Sequence, residues 1–348
     1  MKIFKIIFFS TLLLYSYNSN AKNIAIIATG GTISGAGESS IESKYSASKV
    51  DIDKIIKTIP GITDLANIKS EQLLQVNSQD MNDIIWLKIA HKVNKLLSKN
   101  SVDGVIITHG TDTLEETAYF LNLAVKSKKP VVLVGSMRPS TSLSADGSLN
   151  LYNAVALASN ESAINQGVLV LLNDEIYAAR DVTKTHTTNV ASFKSPNSGA
   201  IGQVHYGKTN IYYSPLRLHT AKTVFNVKKL ESLPKVDVIY SHAAQDAGVV
   251  DYLVKSGSKA IIVAGVGDGN VNQEVLKSLV KAKERGVIIV RSSRLGSGIV
   301  VPNSEINDSE LGFVTADNLS PQKARILVIM ALTKTNDVEK IRKMFKTY

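Results

Sequence analysis

The chain is 348 residues long, contains no cysteine and carries a formal charge of +10. Without cysteine there is no disulfide, no thiolate nucleophile, no cysteine-bound metal and no lipoprotein anchor, so the fold must rest on its core. The basic excess is spread along the chain, with Lys88, Lys92 and Lys95 at helix-surface spacing, and no basic stripe interleaved with aromatics points to a nucleic-acid partner.

In chain order, Lys2 and Lys5 precede an apolar run from Ile6 to Leu14, followed by small polar residues ending in Ser19-Asn20-Ala21. This pattern predicts a secretory signal peptide cleaved after Ala21; its apolar run is too short to cross a bilayer core of about 30 Å. No later segment reaches spanning length, so the mature chain is expected to be periplasmic and free of the membrane. Its remaining length, about 327 residues, exceeds the usual size of one core and predicts two domains.

The apolar runs Ile24 to Ala28, Val105 to Thr108, Val131 to Val134 and Val168 to Leu172 read as buried parallel strands. Between the first two, Ile84, Ile85, Ile89, Val93 and Leu96 recur at helical spacing, and Thr113-Leu114-Glu115-Glu116 reads as a capping box opening another helix. Strand and helix alternating in this way predict a doubly wound α/β domain over 22–212 whose ligands sit beyond the carboxyl ends of the strands. Alternation around Val204 to Tyr213 predicts a β-hairpin, and 213–234 reads as a linker. A second α/β series occupies 235–348, with strands at Val236 to Tyr240, Ala260 to Ala264 and Val287 to Val290, a helix from Glu274 to Lys283, and Ser320-Pro321 opening the penultimate helix. The expected fold class is α/β in two domains: a larger N-terminal, mainly parallel sheet with a hairpin, and a smaller C-terminal parallel one.

The first strand runs into Thr29-Gly30-Gly31-Thr32-Ile33, which puts Thr32 at a strand's carboxyl end on a tight glycine turn. Such a turn suits a hydroxyl nucleophile and lets backbone N–H groups approach a developing oxyanion, although an ordinary turn with a capping threonine reads the same. Thr108-His109-Gly110-Thr111-Asp112-Thr113 repeats the design at a second strand end, and two such turns in one sheet converge on one crevice. A hydroxyl needs a base at neutral pH. Lys184, in Arg180-Asp181-Val182-Thr183-Lys184-Thr185, serves if it is desolvated and held by Asp112; alone it reads equally as a surface lysine.

Two other motifs fail on context. Gly265-Val266-Gly267-Asp268-Gly269-Asn270 has Asn270 where a dinucleotide loop needs its third glycine, and Gly202 to Thr209 matches a phosphate-loop pattern but continues into a β-branched, aromatic stretch instead of a helix. The six histidines lack H-E-x-x-H spacing and there is no G-x-S-x-G elbow, so no metal, cofactor or serine triad is expected.

Taken together, T-G-G-T-I at Thr29 to Ile33, S-Q-D-M at Ser78 to Met81, H-G-T-D-T at His109 to Thr113, G-S-M-R-P at Gly135 to Pro139 and R-D-V-T-K-T at Arg180 to Thr185 resemble the type II bacterial L-asparaginases of the asparaginase/glutaminase family. The resemblance implies hydrolysis of L-asparagine to L-aspartate and ammonia, with L-glutamine as a side substrate. It implies that Thr32 forms an acyl-enzyme, that Tyr45, within a Gly- and Ser-rich lid from Ser34 to Ser48, activates it, and that Thr111, Asp112 and Lys184 relay protons. It further implies that Asp112 takes the substrate ammonium, while Ser78, Gln79 and the backbone after Gly31 and Gly110 take the carboxylate. Ser136 would stand near the amide, and Asn270 and Glu305 would complete the site of a neighbouring subunit in a homotetramer. The rival readings are an exported amino-acid solute-binding protein and a glutaminase-asparaginase dominated by glutaminase activity.

Overall fold

Ile24, Ile26 and Ala28 pack on one face of the first strand and Ala25 and Ile27 on the other, both faces closed to water, as the centre of a parallel sheet requires. The computed structural model describes residues 21–41, 46 and 49–348. The expected signal peptide before Ala21, and Tyr45, lie outside the described residues.

Ten strands and short strand pairs make the N-terminal part: β1 (Asn23–Gly30), β2 (Asn67–Val76), β3 (Gly104–Thr108), β4 (Val131–Val134), β5 (Val168–Leu172), β6 (Glu175–Ala178), β7 (Thr183–Lys184), β8 (Phe193–Lys194), β9 (Gly202–His205) and β10 (Lys208–Ile211). Eight of them form one sheet in the order β10-β9-β6-β5-β4-β3-β1-β2, parallel from β2 to β5 and antiparallel beyond, while β7 and β8 pair separately. The chain leaves β1 for β2 on one side and returns to β3 on the other, so the strand order reverses at β1, the point where open α/β sheets bind ligands. Pairing of Ile24 with Gly104 through Ala28 with Thr108 brings the carboxyl ends of β1 and β3 level. The segment resembling a phosphate loop is the β9–β10 hairpin, turned at Tyr206-Gly207.

The helices of this part are α1 (Ile52–Lys57), α2 (Ile62–Leu65), α3 (Asp83–Leu97), α4 (Leu114–Ala124) and α5 (Gly147–Ser159). Helix α3 buries Trp86, Leu87, Ile89, Ala90, Val93 and Leu97, whereas Ile84 is exposed. Of the expected stripe, Ile89 and Val93 are buried and Ile85 and Leu96 pack partly buried against the same core, so only Ile84 departs, and Trp86, stacked on Phe120 of α4, joins the inward face. The expected capping box is also corrected: the Thr113 hydroxyl makes no cap bond and donates to the Ser78 carbonyl at 2.7 Å, so a tertiary acceptor displaces the local one. Edge strand β2, with its partly buried alternation, escaped the sequence reading because it has no continuous apolar run.

The C-terminal sheet contains β11 (Val236–Tyr240), β12 (Ala260–Gly265), β13 (Ile288–Ser293) and β14 (Val314–Thr315), all parallel and in sequence order. Its helices are α6 (Gly248–Lys255), α7 (Gln273–Glu284), α8 (Asp308–Leu311), α9 (Pro321–Leu332) and α10 (Val338–Thr347). Helices α6 and α7 cover one face of the sheet. Helix α9 covers the other and also packs on α4, so one apolar cluster runs through both sheets. That double contact is why α9 is buried nearly all round, from Ala324 through Ala331. Pro321 sits in the first turn of α9 as expected, but the Ser320 side chain makes no capping bond. Among the described residues no helix is long and apolar enough to cross a membrane.

The junction of α4 and α9 also buries charge: Glu115 and Lys323 are closed to water and Glu116 is partly so. Burial lowers Lys323 to about 8 and lifts Glu116 from 4.5 to about 7, outweighing the attraction of Arg325 and Lys323. A raised acid binds its proton more tightly in the folded chain, so this group takes stability away progressively as pH climbs from about 4.5 to 7. Glu116→Gln is therefore expected to melt about 3 °C above the parent at pH 8 and level with it at pH 4. Thermal melts at the two pH values check this, and an equal difference at both would contradict it.

Candidate active site

Three chain segments meet at the level ends of β1, β2 and β3. Thr29 Oγ1 donates to the Thr108 carbonyl at 2.8 Å, tying the first two turns together as they leave the sheet. Gly31 has φ +85°, and a β-carbon there would lie 2.4 Å from both N and Cα of Gly110; one on Gly110 would lie 2.7 Å from Ser78 Oγ. The two glycine turns thus stack backbone on backbone and against the Ser78–Asp80 turn, an approach that a single methyl group would prevent. Thr32 and Thr111, each one residue beyond its glycine, are thereby held at the mouth of the same crevice.

His109 braces the second turn from below. Its Nδ1 faces the Gly110 carbonyl at 2.7 Å, an acceptor only, so the ring proton sits on Nδ1. Nε2 then accepts from the Thr117 hydroxyl at 2.9 Å, and the Thr117 oxygen accepts from the Trp86 indole N–H at 2.9 Å. Burial lowers His109 to about 4, in keeping with a neutral ring whose every polar atom has a partner. Its role is to shape the turn, not to shuttle protons.

Lys184 arrives from β7. Its Nζ donates to Thr111 Oγ1 at 2.9 Å and to Asp112 Oδ1 at 2.7 Å. The lysine side chain is only 16% exposed whereas that of Asp112 is 61% exposed, so the pair sits at the wall with its carboxylate toward the opening. The Asp112 amide donates to Ser78 Oγ at 3.2 Å, which fixes the carboxylate's backbone to the third segment. These contacts make a hydroxyl, an amine and a carboxylate one hydrogen-bonded unit, a combination that moves protons at a carbonyl centre.

A cavity of about 590 Å³ opens here. Of the residues singled out in the sequence, Gly31, Thr32, Ser78, Gln79, Gly110, Thr111, Asp112 and Lys184 line it. Ser46, Asn77, Met137 and Thr187 line it too, beyond the residues singled out in the sequence; Asn77 directly precedes the Ser78 to Met81 motif and Met137 lies within the Gly135 to Pro139 motif, and these are the signals that point to them. Ser46 exchanges two backbone hydrogen bonds with Ala36 at 3.1 and 3.0 Å, closing the base of the Ser34 to Ser48 loop. Ser136 is buried and donates to the Arg138 carbonyl at 2.9 Å, while its neighbour Met137 reaches the cavity. Asn270, partly buried after β12 with its Oδ1 lacking a hydrogen-bond partner, and exposed Glu305 do not line the cavity of their own chain.

Known proteins match this arrangement along nearly the whole chain. The model of the asparaginase N-terminal domain matches residues 23–217, and that of the glutaminase/asparaginase C-terminal domain matches residues 235–345. The chain belongs to the asparaginase family. It is 50% identical over 326 residues to the probable periplasmic L-asparaginase of Haemophilus influenzae, covering 94% of this chain and 93% of that one. It is 48% identical to L-asparaginase 2 of Escherichia coli over the same shares, and 50% identical to the glutaminase-asparaginase of Acinetobacter glutaminasificans over 94% of this chain and 99% of that one. The crystal structure of a probable cytoplasmic L-asparaginase from Campylobacter jejuni superposes with a TM-score of 0.91 at 49% identity, covering 94% of this chain and 100% of that one. The likeness to that structure extends over the large sheet, parallel in its centre and antiparallel at its hairpin edge, and the small parallel C-terminal sheet.

Proposed function

We propose that this chain hydrolyses L-asparagine to L-aspartate and ammonia by way of a threonine acyl-enzyme. The observation that carries the reading is that Lys184 binds both Thr111 and Asp112 in the same cavity that Thr32 lines. Asp112 receives the substrate ammonium, and Ser78, Gln79 and the backbone N–H groups after Gly31 and Gly110 receive its carboxylate, which leaves the side-chain amide facing the threonines. Thr32 Oγ attacks the amide carbon, backbone N–H groups of the glycine turns stabilise the oxyanion, and ammonia leaves with the hydroxyl proton. Water then attacks the ester, giving its proton through Thr111 to Lys184 acting as the neutral amine, and the proton passes from Nζ back to the Thr32 oxygen as aspartate departs. Tyr45, on the loop whose base is closed at Ser46, assists the first attack once substrate is bound, a role that rests on the family resemblance.

The same reading includes L-glutamine as a side substrate, since a relative half identical to this chain is named glutaminase-asparaginase. It includes a homotetramer in which Asn270 and Glu305 reach a neighbour's cavity. The unpartnered Asn270 Oδ1 supports that role. We further read 22–212 and 235–348 as domains joined by 213–234, and export to the periplasm with cleavage after Ala21, which the name of the Haemophilus influenzae relative supports and that of the Campylobacter jejuni protein does not. The test is an ammonia-release assay on the purified chain with each amino acid: turnover of asparagine with the higher kcat/KM is expected, a preference for glutamine would reverse the substrate order, and binding without ammonia would point to a solute-binding protein.

A further inference from the structure

Two fully buried cations lie outside the mechanism. Arg291 is matched by Asp308, which accepts at 2.7 and 3.0 Å, and needs no further role. Lys323 is different. It is 2% exposed, on a helix whose run from Ile326 to Leu332 is wholly apolar, and its Nζ donates to the backbone carbonyls of Arg180, at 3.0 Å, and Val182 rather than to a carboxylate. Burying an ammonium in such a place is unfavourable unless its hydrogen bonds are made, and an unbranched apolar side chain would fill the same space without that penalty.

What those two carbonyls have in common is the strap they belong to. Residues 180 and 182 lead directly into β7, where Thr183 borders a second cavity of about 320 Å³ at the junction of the two sheets while Lys184 faces the active-site cavity. The C-terminal part grips this strap elsewhere as well: Arg180 Nε donates to the Tyr348 carbonyl at 2.9 Å, and its Nη1 donates to Asn318 Oδ1 at 2.7 Å. On its far side β7 pairs with the short strand β8, and Thr185 just beyond it donates twice to the Ser192 carbonyl. The Lys323 ammonium is the clamp nearest to Lys184 along the chain, two residues away at Val182.

We propose that Lys323 is a positioning residue, whose ammonium, carried by α9 of the C-terminal part, clamps the Arg180 and Val182 carbonyls and so sets Lys184 Nζ against Thr111 and Asp112. The proposal rests on the asparaginase reading for its kinetic consequence, because misplacing a proton-relay group by about 1 Å lowers turnover by up to about 100-fold without removing any substrate contact.

The test uses the full chain. Lys323→Met is expected to lower kcat on asparagine about 10- to 100-fold with KM changed less than about threefold. In a Lys184→Met background the same change is expected to have almost no further effect on kcat, since a residue that acts through Lys184 has nothing left to position. A second readout does not depend on turnover: the NMR titration midpoint of Lys184, identified by the signal's absence in Lys184→Met, is expected to move by at least about half a pH unit in Lys323→Met. If Lys323→Met does not fold, Lys323→Gln, which keeps an N–H donor, carries both readouts with smaller changes of the same sign. Losses in kcat that multiply across the two sites, with an unmoved midpoint, would overturn the proposal and leave Lys323 as packing alone. Should the parent protein release no ammonia, the asparaginase reading fails, and the midpoint still decides whether Lys323 positions Lys184.

Discussion

Thr32→Ala is expected to lose at least about 10⁴-fold in kcat on L-asparagine while still binding L-aspartate, because the substitution removes the nucleophile and none of the groups that hold the amino-acid end. Thr32 sits one residue beyond Gly31, whose backbone is pressed against Gly110, so main-chain packing supports the turn when the threonine side chain is truncated. Stopped turnovers of the parent, digested and weighed by mass spectrometry, are expected to carry the aspartyl adduct on the peptide containing residue 32. A variant that retains turnover within about tenfold, or an adduct on the peptide containing residue 111, would transfer the nucleophilic role to Thr111.

Lys184→Met should lower kcat by about 10² to 10⁴, the range typical of a lost general acid–base group, with KM altered by less than about tenfold. The geometry separates the two parameters. Lys184 donates to Thr111 Oγ1 and Asp112 Oδ1, so its loss removes the acceptor for the relayed proton but leaves the Asp112 carboxylate at the opening, anchored by its own amide on Ser78. Steady-state kinetics over a range of pH check the expectation: the pH dependence of kcat contributed by the lysine should vanish with it. A variant with unchanged kcat would take Lys184 out of the reaction and leave the Thr111–Asp112 turn to work alone.

Much of the fold was legible because its strands are buried on both faces. Ile24 to Ala28, Val105 to Thr108, Val131 to Val134 and Val168 to Leu172 announce themselves as continuous apolar runs, and all four lie in the parallel part of the large sheet. Strand β2 does not, because an edge strand keeps water on part of its surface and so reads as an ordinary polar segment. In helix α3 the periodicity gives the inward face correctly at Ile85, Ile89, Val93 and Leu96 but also counts Ile84, which the stacking of Trp86 on Phe120 leaves in water. The spacing of Thr113 and Glu116 predicts a cap, but the Thr113 hydroxyl gives that role up to a carbonyl on another turn.

The sequence by itself determined the short-range chemistry: threonines on glycine turns at strand ends, a carboxylate beside one of them, and apolar runs that must form buried strands. Those features depend on neighbours a few residues away, whose backbone conformations and hydrogen bonds are settled locally. Only the tertiary structure decided that Lys184 meets Thr111 across 73 positions, that Gly31 and Gly110 stack, and that one helix of the C-terminal part buries a lysine against the strap leading into the site. Such meetings follow from the order and register of the strands, which the packing of all the helices selects together and no local pattern encodes.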